Sequence, residues 1–202
     1  MSPTNTGVSK RSTGSLMQTM KLQATVLGSS IGAAWLSLGV NLITGGMLLP
    51  LGIVPRTTIG LRGILFAPFL HVNMAHLIAN TGSFALLGWL VMLRDKRHFG
   101  RVTLLAAVSS GLMSWLLGAP GSIHIGASGV IFGYLGFLMM SGWYARTVAS
   151  VLLSLGVTAA WGGLVFGVLP TTPGVSWQGH LGGFIGGVLA ARAFRSQSAT
   201  KF

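Results

Sequence analysis

The stretch Val102–Ala145 reads VTLLAAVSSGLMSWLLGAPGSIHIGASGVIFGYLGFLMMSGWYA and contains no Asp, Glu, Lys or Arg. A helix crosses the roughly 30 Å hydrocarbon core of a bilayer with about 20 apolar residues, and this stretch has room for two crossings. Gly118-Ala119-Pro120-Gly121-Ser122 divides it, since glycine and proline punctuate helices. The pattern predicts helices over 102–118 and 128–145. Helices exposed to water carry a polar face, and a run this long without an ion has none to offer.

Four further apolar runs flank it, over 22–49, 76–93, 147–169 and 178–194. A signal peptide has an apolar core of about 7–15 residues, so the much longer first run reads as a retained span. Residues 50–70 carry Pro50, Pro55, Pro68, Arg56 and Arg62 among apolar residues and read as a loop lying partly in the interface. The fold class expected is an all-α membrane protein with six transmembrane helices. Residues 1–20, rich in Ser, Thr and Gly, read as a disordered cytoplasmic tail, 21–195 as the membrane-embedded domain, and 196–202 as a second cytoplasmic tail.

Composition agrees. Of 202 residues, 51% are hydrophobic and 7% charged, with a mean hydropathy of +0.73. Soluble domains average about 25% charged. A net charge of +12 in a soluble chain would suggest nucleic acid. Here the cations punctuate apolar runs instead of clustering with stacking aromatics, so the partner expected is the lipid bilayer and not nucleic acid. With six spans, Lys10, Arg11, Lys21, Arg94, Lys96, Arg97, Arg101, Arg146, Arg192, Arg195 and Lys201 share one side, against Arg56 and Arg62 on the other. The positive-inside rule then puts both termini in the cytoplasm.

The scarcity of acids excludes much chemistry. There is no Glu for an H-E-x-x-H zinc helix. Asp95 stands alone, which rules out an aspartyl dyad and a carboxylate cage for calcium or magnesium. There is no Cys for a thiolate nucleophile. Serine, threonine, tyrosine, lysine, histidine and backbone dipoles remain, and no metal or cofactor is expected.

Three constellations fall at the outer starts of even-numbered spans. In His71-Val-Asn73-Met-Ala-His76-Leu-Ile-Ala-Asn80, His76 and Asn80 are four apart and stack on one helical face. Taken alone, they read as polar glue between helices. In Gly126-Ala127-Ser128-Gly129, two glycines leave the Ser128 backbone open to close approach. An oxyanion formed there would meet unpaired helix N–H groups. About 0.4 chance copies of G-x-S-G are expected at this composition, so alone Ser128 reads as a helix cap. In Gly179-His180-Leu-Gly-Gly183-Phe-Ile-Gly-Gly187, glycines allow a close helix neighbour, and a lone His180 reads as an anchor or a satisfied core residue. The H-x-x-x-x-H-x-x-x-N pattern has a chance expectation of only about 0.002. With all three sites on one side at similar depth, a serine, a histidine and neutral donors can converge. Asp95 falls in the cytoplasmic turn, which leaves any Ser–His pair without an acid.

In these three elements, their order and the six spans, the chain resembles the rhomboid family of intramembrane serine proteases over about residues 55–195, in its compact bacterial form. The resemblance implies Ser128 as nucleophile and His180 as general base, then general acid. It implies an oxyanion hole formed by His76, Asn80 and the Ser128 backbone N–H. His71 matches a histidine beside a water-holding cavity. Phe132 stands where the family often has tyrosine packed on the catalytic histidine. Gly126, Gly129, Gly183 and Gly187 complete the matching motifs. The Trp-Arg pair common in the first outer loop is missing, so loop 50–70 is expected to be built differently. The implied substrates are single-span membrane proteins cut near the outer membrane boundary, and the implied location is a bacterial plasma membrane. An inactive rhomboid-like protein that binds membrane clients is the alternative. A small transporter would gather polar groups near the midplane, and a purely structural protein leaves His71, His76, Asn80 and His180 unexplained.

Overall fold

The computed structural model describes residues 7–95 and 97–194. Its helices are α1 (Gly7–Ile43), a short α2 (Gly63–Phe66), α3 (Met74–Asp95), α4 (Phe99–Leu117), α5 (Ser128–Ala145), α6 (Val148–Trp161) and α7 (Trp177–Ala193). The connection between α4 and α5 begins at Gly118, where the glycines and proline predict a break, and α4 starts at Phe99, with Arg101 in its first turn. Lys96, Arg195, Lys201 and the 196–202 tail lie outside the described residues, as do residues 1–6.

The tail expected over 1–20 is corrected for residues 7–20, which are helical and continue directly into the first apolar run. Extending an existing helix fixes one residue per hydrogen bond, whereas nucleation is the costly step. A polar composition therefore does not stop a helix already anchored by the apolar run.

Four helical segments among the described residues are long and apolar enough to cross a membrane: Met17–Ile43, Met74–Arg94, Phe99–Leu117 and Val148–Val168. The protein is thus an integral membrane protein built of helices. The two remaining long helices, α5 and α7, are glycine-rich and lie at the centre of the bundle. α7 packs most extensively on α5 and then on α4, while α6, α4 and α3 also pack on α5. Every residue of α5 from Gly129 to Leu138 is buried. α1 stands at the edge, mainly against α3 and the turn Ala67–Phe69.

Glycine sets the central contact. A Cβ on Gly183 would run into the Gly129 carbonyl, and one on Gly187 into the Gly133 carbonyl. Between α5 and α6, Arg146 takes the left-handed conformation at φ 54°, and the Thr147 hydroxyl caps α6 by accepting from Ser150 N at 3.3 Å. The apolar core gathers towards the Asp95 end of α3, around Leu87, Val91, Val102, Leu135 and Tyr134. There the Tyr134 and Thr103 hydroxyls share a 2.8 Å hydrogen bond.

Loop 50–73 is held by backbone. Ile53 and His124 exchange two bonds, with Ile53 N donating to His124 O (3.0 Å) and His124 N donating to Ile53 O (2.9 Å). Arg56 Nη1 donates to the carbonyls of Leu116 (3.0 Å) and Gly118 (2.9 Å), satisfying the open end of α4. In return Trp115 Nε1 donates to Thr57 O at 2.8 Å. A tryptophan and an arginine from different elements thus clamp the loop that lacks an adjacent Trp-Arg pair.

Candidate active site

α3, α5 and α7 all begin at the end of the bundle where α4 and the extension of α6 finish. Ser128 is the first residue of α5 and is half-buried. His180 lies in the first turn of α7, whose cap Ser176 accepts from Gly179 N at 3.4 Å. Their helices touch through glycine, so the two side chains meet: Ser128 Oγ lies 2.8 Å from His180 Nε2. The other ring nitrogen, Nδ1, lies 2.9 Å from the Gly167 carbonyl. A carbonyl only accepts, so Nδ1 carries the proton and Nε2 presents its lone pair to the Ser128 hydroxyl. Phe132, one turn beyond Ser128, stacks on the imidazole with centroids 4.1 Å apart and planes 9° from parallel. The ring of His180 is therefore fixed in position by Phe132, in rotation by two hydrogen bonds, and in tautomer by Gly167.

His76 and Asn80 share a face of α3 and both point at Gly126, two residues before Ser128. A Cβ on Gly126 would lie 2.9 Å from His76 Cε1 and Nε2 and 3.6 Å from Asn80 Nδ2. Gly126 also has φ +113°, a conformation reserved for residues without a side chain. Asn80 Nδ2 donates one hydrogen to His71 Nε2 at 3.0 Å. Its second hydrogen is left to aim elsewhere.

His71 is buried, with its ring edge-on to His76 at 4.9 Å. Burial first, and then the His76 ring, push it down to about 4 against the opposing pull of the Phe69 carbonyl. It is neutral at physiological pH and available as Asn80's acceptor. Asn73, in the same motif, caps α3 by accepting from His76 N at 2.8 Å and takes no place in the site.

A cavity of about 30 Å³ opens beside Ser128 and His180 and extends between Ser110, Ser114, Ser176 and His124. It is large enough for about two waters. His124 Nδ1 pairs with Ser176 Oγ at 2.7 Å and its Nε2 with Ser122 Oγ at 3.0 Å, and burial holds it below the usual histidine range. Reading the sequence by motif missed these four residues and the Gly167 carbonyl. Ser110 and Ser114 did leave a signal, being four apart and so on one face of α4. The carbonyl left none, because every residue has one.

Fold and site together define a helical membrane protein with a serine–histidine pair at one end of the bundle. The Rhomboid domain family matches residues 60–197, and the chain belongs to that family. It is similar to an uncharacterized protein of Mycobacterium tuberculosis, 41% identical over 160 residues, covering 75% of this chain and 67% of the relative. An uncharacterized protein of Mycobacterium leprae is 44% identical over 139 residues, 65% of this chain and 55% of the relative. The RHOMBOID-like protein 1 of Arabidopsis thaliana is 33% identical over 134 residues, 62% of this chain but 32% of that protein.

Proposed function

We propose that the chain is an intramembrane serine endopeptidase that hydrolyses peptide bonds of single-span membrane proteins near the outer membrane boundary. The observation that carries this reading is the Ser128–His180 hydrogen bond together with the Gly167 contact that leaves Nε2 basic. Ser128 Oγ attacks the scissile carbonyl carbon and its proton passes to His180 Nε2. The carbonyl oxygen becomes an oxyanion at the start of α5, where the Ser128 N–H, His76 and the free Asn80 hydrogen converge. Each such donor contributes about 3 kcal/mol in a site shielded from water. His180 then protonates the leaving amine. A water from the serine-lined cavity hydrolyses the acyl-enzyme, with His180 again as base.

No acid takes part. Asp95 ends the helix whose first turn holds His76, about 28 Å away at 1.5 Å per residue. In the proposed topology α5 and α7 complete six crossings. The ends that carry Arg94, Arg97, Arg101, Arg146 and Arg192 then face the cytoplasm of a bacterial cell, along with both termini.

The test uses the purified chain in detergent or lipid. A fluorophosphonate is expected to label wild type, and neither Ser128→Ala nor His180→Ala. Wild type, and not Ser128→Ala, is expected to cut a tagged single-span protein. Binding of such a protein without labelling or cleavage would instead indicate an inactive rhomboid-like client binder.

A further inference from the structure

The carbonyl that orients His180 is available because of how α6 ends. Beyond Trp161 the chain tightens into a 3-10 helix over Gly162–Val168, in which each carbonyl accepts from the N–H three residues on. The last such bond is Leu169 N to Phe166 O, at 3.1 Å. The next in the series would join residue 170 to the Gly167 carbonyl, and residue 170 is proline, which has no N–H. Proline also drives the residue before it out of the helical region. Leu169 accordingly lies at φ −92°, ψ 147°, where the helix stops. The Gly167 carbonyl is left without a backbone donor and accepts from His180 Nδ1 instead. Gly167 itself carries no side chain where the rings stack: a Cβ there would lie 2.9 Å from Phe132 Cζ and 3.3 Å from His180 Nδ1.

We infer that Pro170 is a positioning residue for the Ser128–His180 pair, acting by withholding the backbone N–H that would otherwise claim the Gly167 carbonyl. In a site without an acid, this released carbonyl holds the histidine in the tautomer whose Nε2 can take the serine proton. A carbonyl has two lone pairs, so an N–H at residue 170 would share that oxygen with His180 Nδ1 and weaken the bond that fixes its tautomer. The role rests on the proteolytic reading of the site.

The experiment compares wild type with Pro170→Ala in the full chain, and with a variant carrying lactic acid at 170. Lactic acid is alanine's α-hydroxy analogue, so that variant has alanine's side chain but no N–H. Turnover and the nitrogen-15 spectrum of labelled histidine are read for each. The five histidines are separated by reference to His180→Asn. Pro170→Ala is expected to lower kcat about tenfold, the scale of one hydrogen bond to the catalytic base, with KM within about twofold. His180 is expected to lose its single Nδ1–H signature, and the lactic acid variant to regain both the rate and the signature.

Wild-type turnover and tautomer in Pro170→Ala would overturn the inference. So would a lactic acid variant as slow as Pro170→Ala, because the loss would then come from the missing ring. If Pro170→Ala does not fold, a mixed tautomer in the lactic acid variant overturns it and a wild-type tautomer supports it. Residual cleavage by Ser128→Ala would sink the proteolytic reading instead, whatever Pro170 does.

Discussion

Gly126→Ala tests the geometry of the oxyanion site without removing any polar group. Two effects add. The backbone at φ +113° strains any residue with a side chain, by about 1–3 kcal/mol. The new methyl would also sit 2.9 Å from His76 Cε1 and Nε2, well inside the roughly 3.5–4.0 Å of a relaxed contact. The imidazole tip must retreat by about 0.6–1 Å or the loop must shift by as much. Losing one oxyanion donor costs about 10²–10³ in kcat, and a misplacement of about 1 Å costs on the order of 10². A fall in kcat of about 10- to 100-fold is expected, with KM within about twofold. Stability, read as the thermal unfolding midpoint in detergent, should fall by the strain alone. Turnover of a fluorogenic single-span substrate measured well below that midpoint separates the two effects. A variant that is less stable but turns over at the wild-type rate would refute the placement of His76 at the developing charge.

Three other perturbations probe the same contacts. Phe132→Leu keeps bulk but loses the stacked ring, a contribution of about 0.5–1.5 kcal/mol, so kcat should drop about two- to tenfold while Phe132→Tyr stays at the wild-type rate. Equal rates for Leu and wild type would show that stacking does not hold His180. Gly183→Ala forces a methyl against the Gly129 carbonyl and should destabilise by about 1–3 kcal/mol; an unchanged unfolding midpoint would mean the helices separate freely. His71 has a folded pKa of about 4 against 6.5 for the ordinary group, so the folded state takes up fewer protons in that window. Its contribution to stability is complete above 6.5 and fades as pH falls towards 4, where Nε2 turns from acceptor to donor against the Asn80 amide. The unfolding midpoint should decline across that window in wild type and less steeply in His71→Gln; parallel slopes would assign the effect to another group.

Much of the fold was legible because a bilayer leaves few options. An uncharged run such as Val102–Ala145 must form helices, and a histidine or asparagine placed within such a protein needs a reason. The beginnings of α5 and α7 followed from where the apolar runs 128–145 and 178–194 start, although Ser128 stands inside α5 and does not cap it. Contacts made by backbone were not legible. The Gly167 carbonyl has no residue type to announce it. Arg56 and Trp115 are far apart in sequence, and nothing local to either predicts that each would satisfy the other's neighbouring carbonyl. The helical start of α1 was hidden for a different reason: its composition is that of a tail, and the helix is imposed by the apolar run on its C-terminal side.

The glycine contact between α5 and α7 has a consequence for how the protein meets different lipids. Bilayers that thicken or thin act on helices by changing tilt and by drawing apolar surface in or out. Side chains can yield to such forces by changing rotamer, but two touching peptide groups cannot. The spacing of Ser128 and His180 is set by a hard stop, while α1, at the edge of the bundle, has the fewest contacts to hold it against the mismatch. If the chain is the protease proposed above, membrane composition should then alter how a substrate arrives far more than how fast the serine reacts once it is there.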